Sequence, residues 1–263
     1  MGLDCRLMID PPAPGAWNMA VDEALLDSAL KGVATLRFYQ WSEPTLSLGY
    51  FQSYEDRQLH TTSQPLPVVR RRTGGGALVH DRELTYSLAL PPGVGFAQDS
   101  LALVCDMHGL LIEALEELSD RPLLLTTCGS AIAVKDSDEP FLCFQRRARG
   151  DLIWQPSERE GRVRTADGNH KVCGSAQRKS RGAILQHGGL LLGQSAHAEE
   201  LPGLLELSGT LFETDSLTQA ICSKISNRFD LRLESQGLTS DEKRLVEEAE
   251  RVRFTASDWI KRR

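Results

Sequence analysis

Two strand-like runs, LPVVRR (66–71) and ELTYSLAL (83–90), flank three consecutive glycines, Gly74 to Gly76, within RRRTGGGALVHD (70–81). A phosphate-binding P-loop needs four residues between its glycines and then Gly-Lys-Ser/Thr opening a helix; no lysine follows here, and the next residues are strand-like. A dinucleotide-binding GxGxxG ahead of a helix fails on the same ground. A plain turn accounts for glycine through the positive φ that turns require. Three in a row exceed that need, because consecutive glycines leave no Cβ and let a ligand or another backbone approach to van der Waals contact. The arginines before them predict a positive rim suited to a carboxylate, a phosphate or phosphopantetheine.

The rest of the chain reads as hairpins with helices between and after them. Apolar residues at Trp17, Val21, Ala24, Leu25 and Ala29 have helical spacing, and so does the stripe Leu101, Val104, Cys105, His108, Leu111, Ile112, Leu115, with Asp99 or Ser100 as its N-cap. His108 on that stripe reads as a packed core residue. Strand-like runs occur at 34–41, 45–51, 122–127, 150–154, 163–165, 170–176 and 183–192, punctuated by Gly161, Asp167, Gly168 and Asn169. After Gly193 short helices take over, with a capping box at Thr239 and Glu242. Without strict βαβ alternation the expected class is α+β, a central mixed or antiparallel sheet flanked by helices. The expected division is a core over 1–193 and a helical tail over 194–263 packed on it.

The composition is that of a globular protein, 41% hydrophobic and 25% charged. The opening residues lack the basic start and apolar run of a signal peptide, and no run approaches ~18 apolar residues, so a soluble cytoplasmic protein is expected. Six cysteines without a CxxC pair argue against a zinc site, and no metal is expected. Net charge is −6, yet residues 142–182 hold ten basic side chains against four acids. A basic segment on an acidic protein suits an acidic protein partner or an anionic cofactor; no nucleic-acid motif accompanies it.

RRxTGGGAxxHD followed by ELTYSL, with PTLSLGYFQ upstream, KVCGSAQRxxRGAILQHGGLLL downstream and NMAVDEALL at the start, resembles the lipoate-protein ligase A and octanoyltransferase superfamily over residues 17 to 193. The resemblance implies the biotin/lipoyl-ligase catalytic fold and the handling of octanoyl or lipoyl groups bound for a lysine of lipoyl domains. Two chemistries share that scaffold. Ligases make an acyl-adenylate from free acid, ATP and magnesium; transferases take octanoate from acyl carrier protein through a cysteine thioester, with no cofactor.

Cys143 in FLCFQRR resembles the nucleophile of the cysteine-dependent transferases, and Lys171 matches the family's lysine. Cations near a thiol favour the thiolate that attacks a thioester, and Lys171 would also polarise the acyl carbonyl. Cys173, two residues from Lys171, is the rival thiol, expected on the same strand face. Arg70, Arg71, Thr73, Gly74, Gly75, Gly76, His80, Gly174, Ser175, Ala176 and His187 fall in the motifs and are the expected substrate-binding residues. His80 is expected to hold a phosphate or polar head group, and His187 to orient loops.

Some features lean the other way. Gly76 completes a triple glycine more typical of the ligases, and the Trp154 to His170 connection is longer than the family's hairpin. Against these two features, about 70 residues after Gly193 are too few for the accessory domain of many ligases, which favours the transferase. The expected function is octanoyl transfer from octanoyl-acyl carrier protein to lipoyl domains or the glycine-cleavage carrier protein. The alternatives are an ATP-dependent lipoate ligase and a non-catalytic acyl-binding homologue.

Overall fold

The computed structural model describes residues 2–129, 140–156 and 168–263. The expected strand at 163–165, and Arg159, Arg162 and Arg164 of the basic segment, lie outside the described residues. The elements that follow are β1 (Leu3–Ile9), α1 (Gly15–Ala29), β2 (Ala34–Tyr39), β3 (Thr45–Leu48), β4 (Val68–Arg70), β5 (Leu78–His80), β6 (Glu83–Leu90), α2 (Ser100–Leu118), β7 (Leu125–Thr127) and β8 (Leu152–Trp154). Then come β9 (His170–Ser180), β10 (Ala183–Leu191), α3 (Leu204–Ser208), α4 (Thr214–Phe229), β11 (Leu231–Ser235), α5 (Ser240–Ala249) and α6 (Ser257–Ile260).

Eight strands form one mixed sheet in the order β11-β1-β2-β6-β10-β9-β8-β7. The β11, β1 and β2 strands run parallel, and every later neighbour is antiparallel, as the hairpin-like sequence pattern predicts. A three-stranded sheet, β4-β3-β5, carries the glycine stretch between its outer strands.

Helices α2 and α4 cover one face of the large sheet around Leu36, Tyr86, Leu88, Leu111, Ile184 and Ile221, while α1 and α5 cover the other around Val21, Leu25, Tyr39, Leu185 and Val246. Helix α2 starts where expected, the Asp99 carboxylate accepting from the amides of Leu101 (2.8 Å) and Ala102 (3.0 Å). Thr239 and Glu242 close their capping box in both directions, at 3.2 Å and 2.8 Å.

The tail over 194–263 departs from the all-helical expectation, because β11 pairs in parallel with β1, Leu3 opposite Leu231. Arg6 on β1 then reaches Glu242 on α5 with two hydrogen bonds of 2.8 Å, and Ser28 of α1 donates to the same carboxylate at 2.6 Å. One buried carboxylate thereby ties the tail to α1 and to β1. The tail's last turn returns to the small sheet, where the Arg70 guanidinium donates to the Ile260 carbonyl (2.8 Å) and the Trp259 indole to the Arg70 carbonyl (2.9 Å).

Candidate functional site

Phe141, Leu142 and Phe144 are buried in the core of the small sheet with Leu46, Leu48 and Ala77. The apolar neighbours anchor the segment, the Cys143 amide donates to the Ala77 carbonyl (2.7 Å), and the thiol is left half-buried at the opening of a 3₁₀ turn, Cys143–Gln145. Gly76 makes this approach possible. A Cβ there would stand 3.3 Å from the Cys143 backbone and from the Phe141 carbonyl oxygen, so the third glycine is explained by the close passage of the cysteine segment.

Lys171, near the start of β9, brings its Nζ to 3.9 Å from the Cys143 sulfur and 2.8 Å from Asp151 Oδ2. Phe144 lies beneath the ammonium, ring centroid at 5.1 Å. Burial favours the neutral amine, but Cys143 and Asp151 outweigh it and hold the Lys171 pKa above its ordinary value. Gly174 supplies the space, since a Cβ at that position would lie 2.6 Å from Nζ. Asp151 is a residue that sequence reasoning missed. An acid at the mouth of the run GDLIW reads as a turn residue, and only the fold shows its carboxylate buried, with the Ala148 amide donating to it at 2.6 Å.

Thiol and glycine loop open on a cleft of about 510 Å³, its mouth included, walled by Met19, Tyr39, Trp41, Leu78, Phe144 and the bare backbone of Gly74, Gly75, Gly188 and Gly189. Ser175 and Ala176 complete it beside Gly174, and Arg71, His80, Thr85 and His187 supply its polar edge. The lining suits a short aliphatic chain with one polar end.

Of the arginines expected at the rim, only Arg71 lines the cleft. Arg70 is fully buried and points away from the cleft, its guanidinium donating to the carbonyls of Gly49, Gln52 and Ile260. Arg71 is buried behind the loop, donating to Ser47 and to the carbonyls of Gly74 (3.3 Å) and Gly76 (2.8 Å), and therefore sets the loop's shape. Both follow from burial, because an interior guanidinium seeks the carbonyl oxygens that turns leave unpaired.

His80 has neither ring nitrogen free for a phosphate. Nδ1 is bonded to Glu83 Oε1 (2.8 Å), Nε2 to Ser47 Oγ (2.7 Å), and the ring is stacked 3.7 Å from Trp41. Burial pushes its pKa down. Thr73 also faces inward, its hydroxyl 2.9 Å from His187 Nε2, while His187 Nδ1 meets Asp22 Oδ2 at 2.9 Å. His187 is thereby held between the loop's Thr73 and a carboxylate on α1 that Arg37 and Ser87 also engage.

Cys173 leaves the expected face. The pairing of β8 with β9 shifts register between Leu152 and Ile153, and the Cys173 side chain is fully buried on the α2 side, its sulfur 3.6 Å from His108 Nε2. Burial pushes that thiol well up, the opposite of what a nucleophile needs. His108 is a core residue, also bonded to the Gly150 carbonyl (2.6 Å) and Ser175 Oγ (2.7 Å), with its pKa lowered by burial to about 4. Among the described residues no three metal-ligating side chains converge, and no helix is long and apolar enough to cross a membrane.

The family model described as lipoyl protein ligase A/B catalytic domain matches residues 14–216. The octanoyltransferase LipM of Geobacillus kaustophilus is 30% identical to this chain, covering 94% of each, and that of Moorella thermoacetica is 31% identical, covering 94% of this chain and 93% of its own. Among solved structures, a putative lipoate protein ligase from T. acidophilum with bound lipoic acid superposes with a TM-score of 0.74 at 19% identity, covering 98% of this chain and 99% of that one. Lipoate-protein ligase A bound with ATP gives a TM-score of 0.72 at 19% identity, covering 98% of each. At those identities the structural likeness speaks for the fold, a mixed sheet flanked by helices.

Proposed function

We propose, from the premise that this chain belongs to the lipoyl protein ligase A/B catalytic domain family, that it is an octanoyltransferase working through a thioester on Cys143. The observation that carries this reading is the Lys171 ammonium, 3.9 Å from a half-buried sulfur at an apolar cleft and locked by Asp151. An adenylating ligase has no use for a thiol in that position. The full-length likeness to octanoyltransferases LipM supports the same choice.

In the first half-reaction the Cys143 thiolate attacks the carbonyl carbon of octanoyl-acyl carrier protein. Lys171, freed from neutralising the sulfur as the new C–S bond forms, faces the oxyanion. Collapse expels the phosphopantetheine thiolate, which takes a proton from solvent. In the second, the neutral amine of a lipoyl-domain lysine attacks the acyl-cysteine, the C–S bond breaks to leave the Cys143 thiolate, and the proton lost by the nitrogen goes to solvent, balancing the one taken up in the first half. The product is an amide and the enzyme returns to its starting state. ATP and magnesium have no part in either half. Gly74, Gly75, Ser175 and Ala176 would lie along the acyl chain, and Arg71 and His187 would hold the loop.

Intact mass after incubation with octanoyl-acyl carrier protein, without ATP, tests the reading. An octanoyl adduct that disappears in Cys143→Ala is the expected result. An adduct that survives that change, or product made from free octanoate only with ATP and magnesium, overturns it.

A further inference from the structure

Five arginines from separate parts of the chain gather beside the glycine loop. Arg72 immediately precedes Thr73 and Gly74, and its carbonyl accepts from the Arg178 guanidinium on β9 at 3.0 Å. Arg72 and Arg253 both donate to Glu23 Oε1. Arg253 also lies 5.4 Å from the Trp259 ring, and Arg262 lies 4.8 Å from that ring and 4.3 Å from Tyr50. Arg263 ends the series 5.3 Å from the ring of Phe51, which is exposed.

Glu23 is the carboxylate these groups share, and it also draws on Arg178 at longer range. Asp27 near Arg72 and Asp258 beside Trp259 are further acids of the neighbourhood. Five cations against three anions leave a positive belt on a chain whose net charge is −6. Among the described residues Arg178, Arg262 and Arg263 belong to no ion pair, so their charge is left for an anionic partner.

The belt borders the acyl cleft. The Tyr50 amide donates to the Thr73 carbonyl (2.9 Å), and two residues further on a Cβ at Gly75 would lie 4.0 Å from the Cys143 sulfur. Along β9, Gly174, Ala176 and Arg178 share one face, and the first two line the cleft. Two strand steps of about 6.7 Å each put Arg178 roughly 13 Å from Gly174, whose missing side chain makes room for the Lys171 ammonium beside Cys143.

That distance selects the occupant. A phosphopantetheine arm has about 13 bonds between sulfur and phosphorus, which span on the order of 15 Å at the pitch of an extended backbone. A thioester held at Cys143 therefore has its phosphate level with Arg178. A lysine side chain, roughly 6 Å from Cα to Nζ by the same measure, brings no anion to that position.

We propose that the belt of Arg72, Arg178, Arg253, Arg262 and Arg263 is the docking surface for the acyl donor, an acidic carrier protein whose phosphopantetheine phosphate meets Arg178. The proposal rests on the transferase reading of the previous section and adds where its donor sits. Complementary charge of this kind acts mainly on encounter, so it is read in kcat/KM and is screened by salt.

The test follows acylation of Cys143 in the full chain by quenched intact mass, with octanoyl-acyl carrier protein, octanoylphosphopantetheine and octanoylpantetheine as donors. In Arg262→Glu combined with Arg263→Glu, kcat/KM for the carrier-borne donor is expected to fall at least about 10-fold and to lose its decline with added salt. Octanoylpantetheine, with neither carrier nor phosphate, should react within about two-fold of the parent rate. The parent is expected to favour octanoylphosphopantetheine over octanoylpantetheine at least about three-fold, and Arg178→Gln to abolish that preference. Transfer from preformed acyl-enzyme to a lipoyl domain should be unchanged in both variants. A carrier-borne rate unmoved by the charge reversal, an equal fall with octanoylpantetheine, a phosphate preference that survives Arg178→Gln, or a loss confined to the acceptor step overturns the inference and leaves the transferase reading standing. A parent that none of these donors acylates at Cys143 overturns both.

Discussion

Two buried ion pairs use similar side chains to opposite ends. Arg6 and Glu242 meet through two bonds of 2.8 Å, and the carboxylate takes further donors from Ser28 and from the Thr239 amide and hydroxyl. Lys171 and Asp151 meet through one bond of 2.8 Å, and the ammonium keeps a side open to a thiol and a cleft. The first pair is saturated, so it can only hold structure together. The second is unsaturated toward substrate, and the lone point charge of a lysine suits that better than the two-pronged guanidinium. Burial alone does not mark a functional charge; what marks it is the bonding capacity left over.

The sharpest way to break that contrast is to remove what the open side faces. Cys143→Ala is expected to lower octanoyl transfer roughly 10⁴-fold or more, with thermal stability shifted by less than about 1 kcal/mol; a large stability loss would make Cys143 a packing residue after all. Lys171→Met should cost about 10²–10³-fold in the acylation rate measured by rapid quench, with acyl-carrier affinity nearly unchanged. A rise in KM alone would move Lys171 from chemistry to binding.

Glu242→Gln is expected to do the reverse, destabilising the fold by about 3 kcal/mol in denaturant titration while kcat stays within about two-fold of the parent. The same pair predicts an acid limb. Burial favours the protonated form, but Arg6, Ser28 and the Thr239 amide hold the Glu242 carboxyl down to about 2 against an ordinary 4.5. Its contribution is therefore complete above pH 4.5 and is lost as pH falls toward 2, so the parent's stability should drop more steeply than the variant's across that window.

Asp151→Asn is a milder probe, with an expected loss of about 10-fold. Its signature is in pH dependence: Asp151 helps keep Lys171 protonated, so the alkaline fall in acylation rate should begin at lower pH in the variant. An unmoved alkaline limb would mean that Lys171 is not the group titrating. Smallest should be Gly76→Ala, whose added methyl presses on the Cys143 backbone and slows acylation by a few-fold through displacement.

Much of this was legible in the residues. The helices α1 and α2 and the strand β6 show the periodicity of one buried face or of full burial, and Thr239 with Glu242 announces a helix start by local bonding alone. Cys143 and Lys171 were identified through the family resemblance, and the fold brings them together across 28 positions. What escaped were features made by distant partners. The strand β11 is a short edge piece, convincing only once Leu231 is seen beside Leu3 of β1. Arg70 and Arg71 are adjacent and chemically identical, yet strand alternation sends one to the tail and the other to the loop. Asp151 and Glu83 look like ordinary turn-flanking acids until burial gives them consequences.

Trp41 has a use beyond walling the cleft. Its indole is nearly buried, donates to Thr85 and lies flat against His80, whereas Trp17, Trp154 and Trp259 do not line the cavity. Indole emission responds to local polarity, so an eight-carbon chain displacing solvent beside this ring should shift its spectrum to the blue. With the other three tryptophans replaced by phenylalanine, the protein becomes its own optical sensor of acyl loading, read in real time without a labelled substrate.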